Sequence, residues 1–287
     1  MISIVRMELE EYTPVEISTT IFPDGTSQVW KIDVDKMRGE AVTVVWEYEQ
    51  EVELIWLNQL LVLLYQSNVT VENLLIPYLP YARQDKQVSD TRTFAREVFL
   101  ELLLKEYVVK VSTLDVHSPC PSVHNYYPWD SLTGALSNFI PTHIVFPDKG
   151  SKKRYHSLFG PHSPYSSIVL DKDRDQLTGK INSLVISEEH SDKILAEGGD
   201  LRFLIVDDIS DYGGTFKKAA KFLRETYVDN ITIGLYVTHF LGHGDLNEFA
   251  ESGISSIYTS DSLSAYRKFK GINDLGLVKI FASTKNI

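Results

Sequence analysis

Short apolar runs rich in β-branched residues alternate along this chain with stretches whose apolar residues recur at helical spacing. In the first half "AVTVVWEY", "NLLIPYL" and "VVKVSTLDV" read as strands, and "IWLNQLLVLLYQ" and "FAREVFLELLLKE" as helices. In the second, "HIVFPD", "SSIVLDK", "SLVIS", "RFLIVDD" and "NITIGLYVTH" read as strands and "TFKKAAKFLRE" as a helix. Parallel strands need a crossover, usually a helix, so the alternation predicts an α/β fold of mostly parallel sheets flanked by helices. The turn-rich stretch "NYYPWDSLTGALSNFIPTH" separates the two series. The reading therefore divides the chain into one α/β domain over residues 1–140 and a second over 141–287.

A chain of 287 residues with 43% hydrophobic content can bury two such cores without covalent staples. Its single cysteine, Cys120, excludes an intramolecular disulfide framework and fits a reducing compartment. The start "MISIVRMELEEYTP" has no signal-peptide core or cleavage site, and no apolar run approaches the ~20 residues needed to span a bilayer. The expectation is a cytoplasmic protein without a membrane partner. A formal net charge of −11 disfavours nucleic acid as a partner, because sequence-independent binding rests on a basic surface. A small phosphate-bearing ligand would need backbone amides, a few placed cations and a divalent metal.

The stretch "FLIVDDISDYGGTF", Phe203 to Phe216, supplies such a place. Phe203 to Val206 form an apolar strand, and Phe216, Ala219, Ala220, Leu223 and Tyr227 recur at helical spacing, so Asp207 to Thr215 make a strand-to-helix turn. Open α/β sheets bind ligands there. Gly213 and Gly214 let amides approach an anion, Thr215 adds a hydroxyl, and the helix start adds a positive dipole end. The adjacent carboxylates Asp207, Asp208 and Asp211 would repel a bare phosphate, so the ligand should also carry hydroxyls or bring Mg²⁺. A phosphorylated sugar meets both demands. An isolated Gly-Gly-Thr would be an ordinary helix cap, but the ordered string is more specific, and it matches neither a P-loop nor a dinucleotide fingerprint.

This string resembles the 5-phosphoribosyl-1-diphosphate (PRPP) binding loop of type I phosphoribosyltransferases and of PRPP synthetases, also called ribose-phosphate pyrophosphokinases. Further segments select the second branch. "IPYLPYARQDK" is similar to that family's ATP-binding segment. "FPDGT" resembles the segment whose aromatic ring contacts adenine across a subunit interface, "LDVHS" the segment whose histidine helps hold MgATP, "FPDKGSKKR" the segment whose aspartate binds metal and pentose, and "VLDKDR" the start of the mobile catalytic loop. The resemblance runs from about Phe22 to Val278. It implies two type I phosphoribosyltransferase-like domains and transfer of the β,γ-diphosphate of MgATP to the anomeric hydroxyl of ribose 5-phosphate, giving PRPP and AMP. Phe22, Asp24, Arg83, Gln84 and Asp85 would hold ATP, and His117 and Asp148 would hold Mg²⁺. Asp207 and Asp208 would grip the ribose diol. Asp211, Tyr212, Gly213, Gly214 and Thr215 would seat the 5-phosphate. Lys172 and Arg174 would act as catalytic cations, and a ring shared across an interface implies a homodimer or larger homo-oligomer.

The side chains agree with these roles without compelling them. Arg83 and Gln84 can give forked and amide contacts to phosphates and a purine edge, yet a solvated loop explains them equally well. His117 alone is more often structural, and Lys172 and Arg174 alone would be an ordinary charged loop. His239 and His243 in "THFLGHGD" have the i,i+4 spacing of a helical zinc pair, but Gly242 and Gly244 argue for a loop without a third ligand.

The chain departs from the family pattern chiefly around the acceptor. Tyr212 stands where a threonine or small residue is usual, Asp173 lies between the two catalytic cations, Thr26 replaces a common acid, and Lys149, Lys152, Lys153 and Arg154 make a basic cluster. These changes motivate a second acceptor, ADP-ribose, giving ADP-ribose 1-diphosphate. They resemble the phage ADP-ribose pyrophosphate synthetase-like branch, which rebuilds NAD⁺. A non-catalytic regulatory homologue is the third reading, and it is disfavoured because the catalytic positions are present.

Overall fold

Helical crossovers join parallel strands in both halves of the chain in a computed structural model, which describes residues 1–6, 15–87, 89–91, 93–103, 105–155, 157–159, 163–174, 181–186, 200–227, 230–263 and 277–283. Two units result, one built on Met1–Tyr127 and one on Pro128–Asp261 with the closing strand Val278–Phe281.

The first unit carries β1 (Ile2–Arg6), β2 (Val15–Glu16), β3 (Ser18–Ile21), β4 (Ser27–Trp30), β5 (Ala41–Trp46), α1 (Glu53–Gln66), β6 (Thr70–Ile76), α2 (Ala95–Leu102), β7 (Val108–Leu114) and β8 (His124–Tyr126). Its sheet runs β2-β1-β5-β6-β7-β8, parallel from β5 to β8, with β1 antiparallel to both of its neighbours. Strands β3 and β4 form a separate hairpin joined by Phe22 to Thr26. Helix α1 buries Leu57, Leu60, Leu61 and Leu64, a three-four stripe, in one core with Val42, Val44, Trp46, Leu74 and Ile76. Truncating any one of those leucines should cost ~2–5 kcal/mol. At the start of α1 the buried Glu53 carboxylate accepts from the Trp46 indole at 3.0 Å, from the Glu49 amide at 2.8 Å and from the Met1 ammonium at 3.0 Å. A buried charge is tolerated only with partners of this kind.

In the second unit α3 (Trp129–Phe139) leads into β9 (His143–Phe146), α4 (Lys149–Tyr155), β10 (Ser166–Arg174), β11 (Ile181–Ile186), β12 (Leu201–Ser210), α5 (Gly214–Thr226), β13 (Ile231–Phe240), α6 (Leu246–Glu251), β14 (Ile254–Ser260) and β15 (Val278–Phe281). The sheet order is β11-β10-β9-β12-β13-β14-β15, parallel except for β11. Strand β12 shows why the fold is layered. Phe203 and Ile205 join the core built on Phe216, Ala219, Ala220 and Leu223 of α5, while Leu204 and Val206 join the core built on Leu132, Ala135 and Phe139 of α3. Side chains alternate across a strand, so a central strand buried on both faces must be apolar throughout. Helix α3, which the sequence reading leaves in the first half, thus contributes to the second unit's core.

Strand β10 changes partner midway. Ser166 to Val169 pair with β9, whereas Leu170 to Arg174 pair only with β11, with a bulge between Asp173 and Arg174. Among the described residues no helix is long and apolar enough to cross a membrane.

Candidate functional site

In the second unit the C-terminal ends of β9 and β12 lie side by side, with Ile205 level with Val145 in parallel register. Asp148 follows β9, and Asp207 and Asp208 end the apolar part of β12, so three carboxylates gather at one sheet edge. That is where the loops of an α/β sheet bind ligands. Helix α4 brings the balancing charge. Arg154 lies 3.3 Å from Asp207 Oδ1 and 2.5 Å from Asp208 Oδ1, with only 14% of its own side chain and 4% of that of Asp208 exposed. Asp207 Oδ1 also accepts from the Asp208 amide at 3.0 Å. Ser151 helps fix α4 in place: its amide donates to Asp148 Oδ1 at 2.9 Å, and its hydroxyl donates to the Val206 carbonyl at 2.6 Å.

Burial pushes the Asp207 carboxyl up, the charges of Asp208 and Asp148 push it further, and Arg154 only partly opposes them. The net position is well above the usual carboxylate range. A carboxyl shifted this way holds its proton more readily than an exposed one, and in that form it can donate to a hydroxyl as well as accept. Arg154 was legible in sequence only as part of a basic cluster. Its distinguishing signal is position, since it shares the inward side of α4 with the buried Ser151 and Tyr155.

After β12 the chain turns at Asp211 and Tyr212 and starts α5 from Gly213, whose φ of +72° is the left-handed conformation that favours glycine. A Cβ there would stand 2.0 Å from the Phe249 ring, so the turn also sits too close to α6 for any side chain. The N-cap position is Gly213, which has no side chain to cap the helix start, and apart from its chain neighbours and its own helix backbone nothing lies within 4 Å of where a Cβ on Gly214 would be. That side of the first turn of α5 is open, with the half-buried Thr215 beside it, and a helix's first amides have no partner within the helix. Asp211 is held by His243, whose Nδ1 is 2.6 Å from its Oδ1. Tyr212 is 64% exposed, and its ring centroid lies 5.6 Å from that of His243. His239 is buried in β13 and His243 is exposed in the loop that follows, so their spacing does not make a helical metal pair.

The segment "VLDKDR" is strand here, the outer part of β10, where Lys172 pairs across β11 with Leu184 and Arg174 with Ile181. The side chains of Lys172 and Arg174 lie outside the described residues.

In the first unit, loops after β6 and β7 carry the other expected residues. Arg83 and Gln84 are exposed, and the Gln84 amide donates at 2.9 Å to the carbonyl of Tyr81, a residue with φ of +60°. Burial pushes the Asp85 carboxyl up, but hydrogen bonds from Ser118 and its own backbone, with His117 and Lys86 nearby, outweigh this and hold it below the usual range. Asp85 and His117 are therefore neighbours. Arg96 ties their loops together: its amide donates to the Gln84 carbonyl at 3.3 Å and its Nη1 to the Ser118 hydroxyl at 2.7 Å. Phe22 and Asp24 sit on the β3–β4 hairpin, where Asp24 accepts from the Thr26 amide at 3.0 Å and hydroxyl at 2.7 Å, bonds that lower its pKa. Phe22 is 43% exposed. The two residues expected to hold metal belong to different units, His117 to the first and Asp148 to the second.

Among the described residues no group of three or more His, Cys, Asp or Glu side chains forms a metal cage. Mg²⁺ seldom needs one, since it keeps several waters and is held by one or two carboxylates together with substrate phosphates. Asp148, at the end of β9 beside Asp207, is a carboxylate of the kind such a site uses.

No family model matches the chain. Individual relatives do. A ribose-phosphate pyrophosphokinase from Saccharolobus solfataricus is 25% identical over 283 residues, covering 94% of this chain and 89% of that protein. One from Campylobacter jejuni is 24% identical over 277 residues, covering 91% and 84%. One from Aeropyrum pernix is 25% identical over 261 residues, covering 85% and 79%. Among solved structures, phosphoribosylpyrophosphate synthetase from Mycobacterium smegmatis superposes with a TM-score of 0.75 at 18% identity, over 94% of this chain and 87% of that one. The fold likeness agrees with the expected pair of phosphoribosyltransferase-like domains. In sequence over most of its length, and in fold, the chain is similar to the ribose-phosphate pyrophosphokinases, and the resemblance carried by its motifs is borne out.

Proposed function

We propose that the protein is a pyrophosphokinase that moves the β,γ-diphosphate of MgATP to the C1 hydroxyl of ribose 5-phosphate, releasing AMP and forming PRPP. One observation carries the reading. In the second unit a pair of carboxylates suited to a vicinal diol, Asp207 and Asp208, is followed after one short turn by a glycine-capped helix start suited to a phosphate. That combination recognises a pentose at both ends.

In this reading the diol accepts from and donates to Asp207 and Asp208, which Arg154 holds at fixed separation. The 5-phosphate rests on the amides from Asp211 to Thr215, including those of Tyr212, Gly213 and Gly214, and on the Thr215 hydroxyl. Arg83, Gln84 and Asp85 hold ATP with Phe22 and Asp24 of the hairpin, and the ring of Phe22 is exposed enough to meet a base, including one bound by a second copy of the chain. Asp148 of the second unit and His117 of the first are the residues that would hold Mg²⁺, which would screen the polyphosphate charge and polarise it for attack. The C1 oxygen bonds to the β-phosphorus as the bond from that phosphorus to the AMP oxygen breaks, and the hydroxyl proton is released. The protein contributes alignment and charge neutralisation, the latter from Lys172 and Arg174.

A second acceptor is favoured by one feature. The phenol of Tyr212 stands exposed beside the anion turn, where a 5-phosphate carrying a further substituent would emerge. On that reading ADP-ribose replaces ribose 5-phosphate and the product is ADP-ribose 1-diphosphate. The test is to incubate the purified protein with MgATP and either acceptor and to identify products by mass. AMP and PRPP with ribose 5-phosphate support the first reading, AMP only with ADP-ribose supports the second, and AMP with neither removes both.

A further inference from the structure

The acids around the anion turn are each matched by a basic group from a different element. Arg154 of α4 serves Asp207 and Asp208, and His243, from the loop after β13, serves Asp211. An ionised carboxylate only accepts hydrogen bonds, so His243 Nδ1, 2.6 Å from Asp211 Oδ1, carries the hydrogen and donates it. The loop that presents His243 is built to lie against the turn. The Leu241 amide donates to the Ser210 carbonyl at 2.9 Å, and a Cβ on Gly244 would come within 2.7 Å of the Tyr212 carbonyl oxygen. Lys217 of α5 pairs with Glu248 of α6 and lies 5.4 Å over the Phe249 ring, joining the helix behind the turn to the same support.

The pair is a poor stabiliser of the fold, since its side chains are 57% and 37% exposed. Its position is what matters. A phosphate on the amides that follow Asp211 would meet that carboxylate at close range, and a singly charged acid ~5 Å from a dianion in water weakens binding on the order of tenfold. We infer that His243 is a specificity-determining residue of the anion turn, holding the Asp211 carboxylate by its Nδ1–H and engaging its lone pairs so that a phosphate can occupy the adjacent amides. The inference rests on the phosphate reading of the turn. It adds a residue that spacing alone presents only as half of an unsupported metal pair.

Inorganic phosphate is the probe, titrated into the full-length protein while the amide resonances of Gly213, Gly214 and Thr215 are followed. His243→Ala should weaken phosphate binding about tenfold with circular dichroism and melting temperature unchanged. Adding Asp211→Asn to it should restore affinity to within about threefold of the parent, because the charge that His243 answers has been removed. A role in loop structure alone predicts no such rescue. Equal affinity in His243→Ala and parent overturns the inference and leaves the phosphate reading standing, as does a double variant as weak as the single. No response of those amides in the parent removes the phosphate reading and this inference with it.

Discussion

The guanidinium of Arg154 lies 2.5 Å from a carboxylate oxygen of Asp208, an ion pair with little of either side chain in water. Breaking one side of a buried pair leaves the other charge uncompensated, so Arg154→Leu should destabilise the second unit by ~3–5 kcal/mol. Denaturant titration checks it. A loss below about 1 kcal/mol would mean that water already screens the pair.

Asp207 sets a pH dependence of unusual sign. Burial, with Asp208 and Asp148 behind it, raises its pKa in the folded protein above the unfolded value. The folded state then holds the proton more tightly, so this residue's contribution to stability falls as pH rises from the ordinary carboxylate range through the folded pKa. Asp207→Asn removes the penalty. In metal-free buffer the variant should gain stability over the parent as pH rises across that window, with no gain below it, while losing acceptor affinity. A difference independent of pH would contradict the raised pKa.

Gly213→Ala should cost ~2–4 kcal/mol, combining a left-handed backbone with overpacking against the Phe249 ring 2.0 Å away. A double-mutant cycle with Phe249→Ala separates the two: the steric part disappears in the double variant and the backbone part stays.

Lys172→Ala should lower the rate of AMP release by ~10²–10³-fold, the usual loss on removing a group that stabilises transition-state charge. Circular dichroism should be unchanged. Unaltered turnover would remove Lys172 from the catalytic set.

Tyr212→Ala separates the acceptors. If the phenol packs on a substituent beyond the 5-phosphate, KM for ADP-ribose should rise severalfold while KM for ribose 5-phosphate stays put. Equal effects on both would place the ring against the shared ribose phosphate.

Much of this architecture was legible because both periods are clean. Phe203 to Val206 are apolar on both sheet faces, and Phe216, Ala219, Ala220 and Leu223 repeat with helical spacing, so the strand, the turn and α5 could be placed from sequence. The hairpin of β3 and β4 was not, since its strands are short and packed on one side only. "SSIVLDK" reads as a strand as far as Lys172 while the resemblance makes "VLDKDR" the start of a loop, and pairing with β11 extends the strand through Arg174. Arg154 and His243 were hidden for a shared reason. Each acts through a partner distant in sequence, Asp207 and Asp208 for one and Asp211 for the other, and spacing along the chain carries no trace of such pairings.

The change of partner within β10 has a practical corollary. Beyond Leu170, which still packs in the core, the strand is paired in the described residues with β11 rather than β9, so Lys172 and Arg174 ride on the outer part of a two-stranded extension of the sheet. A protease cut at Lys172 or Arg174 should therefore yield a nicked protein that melts close to the intact one and turns over no substrate. By the same logic, changes along that outer part could retune chemistry with little penalty to folding, leaving turnover free to diverge while the layers beneath stay as they are.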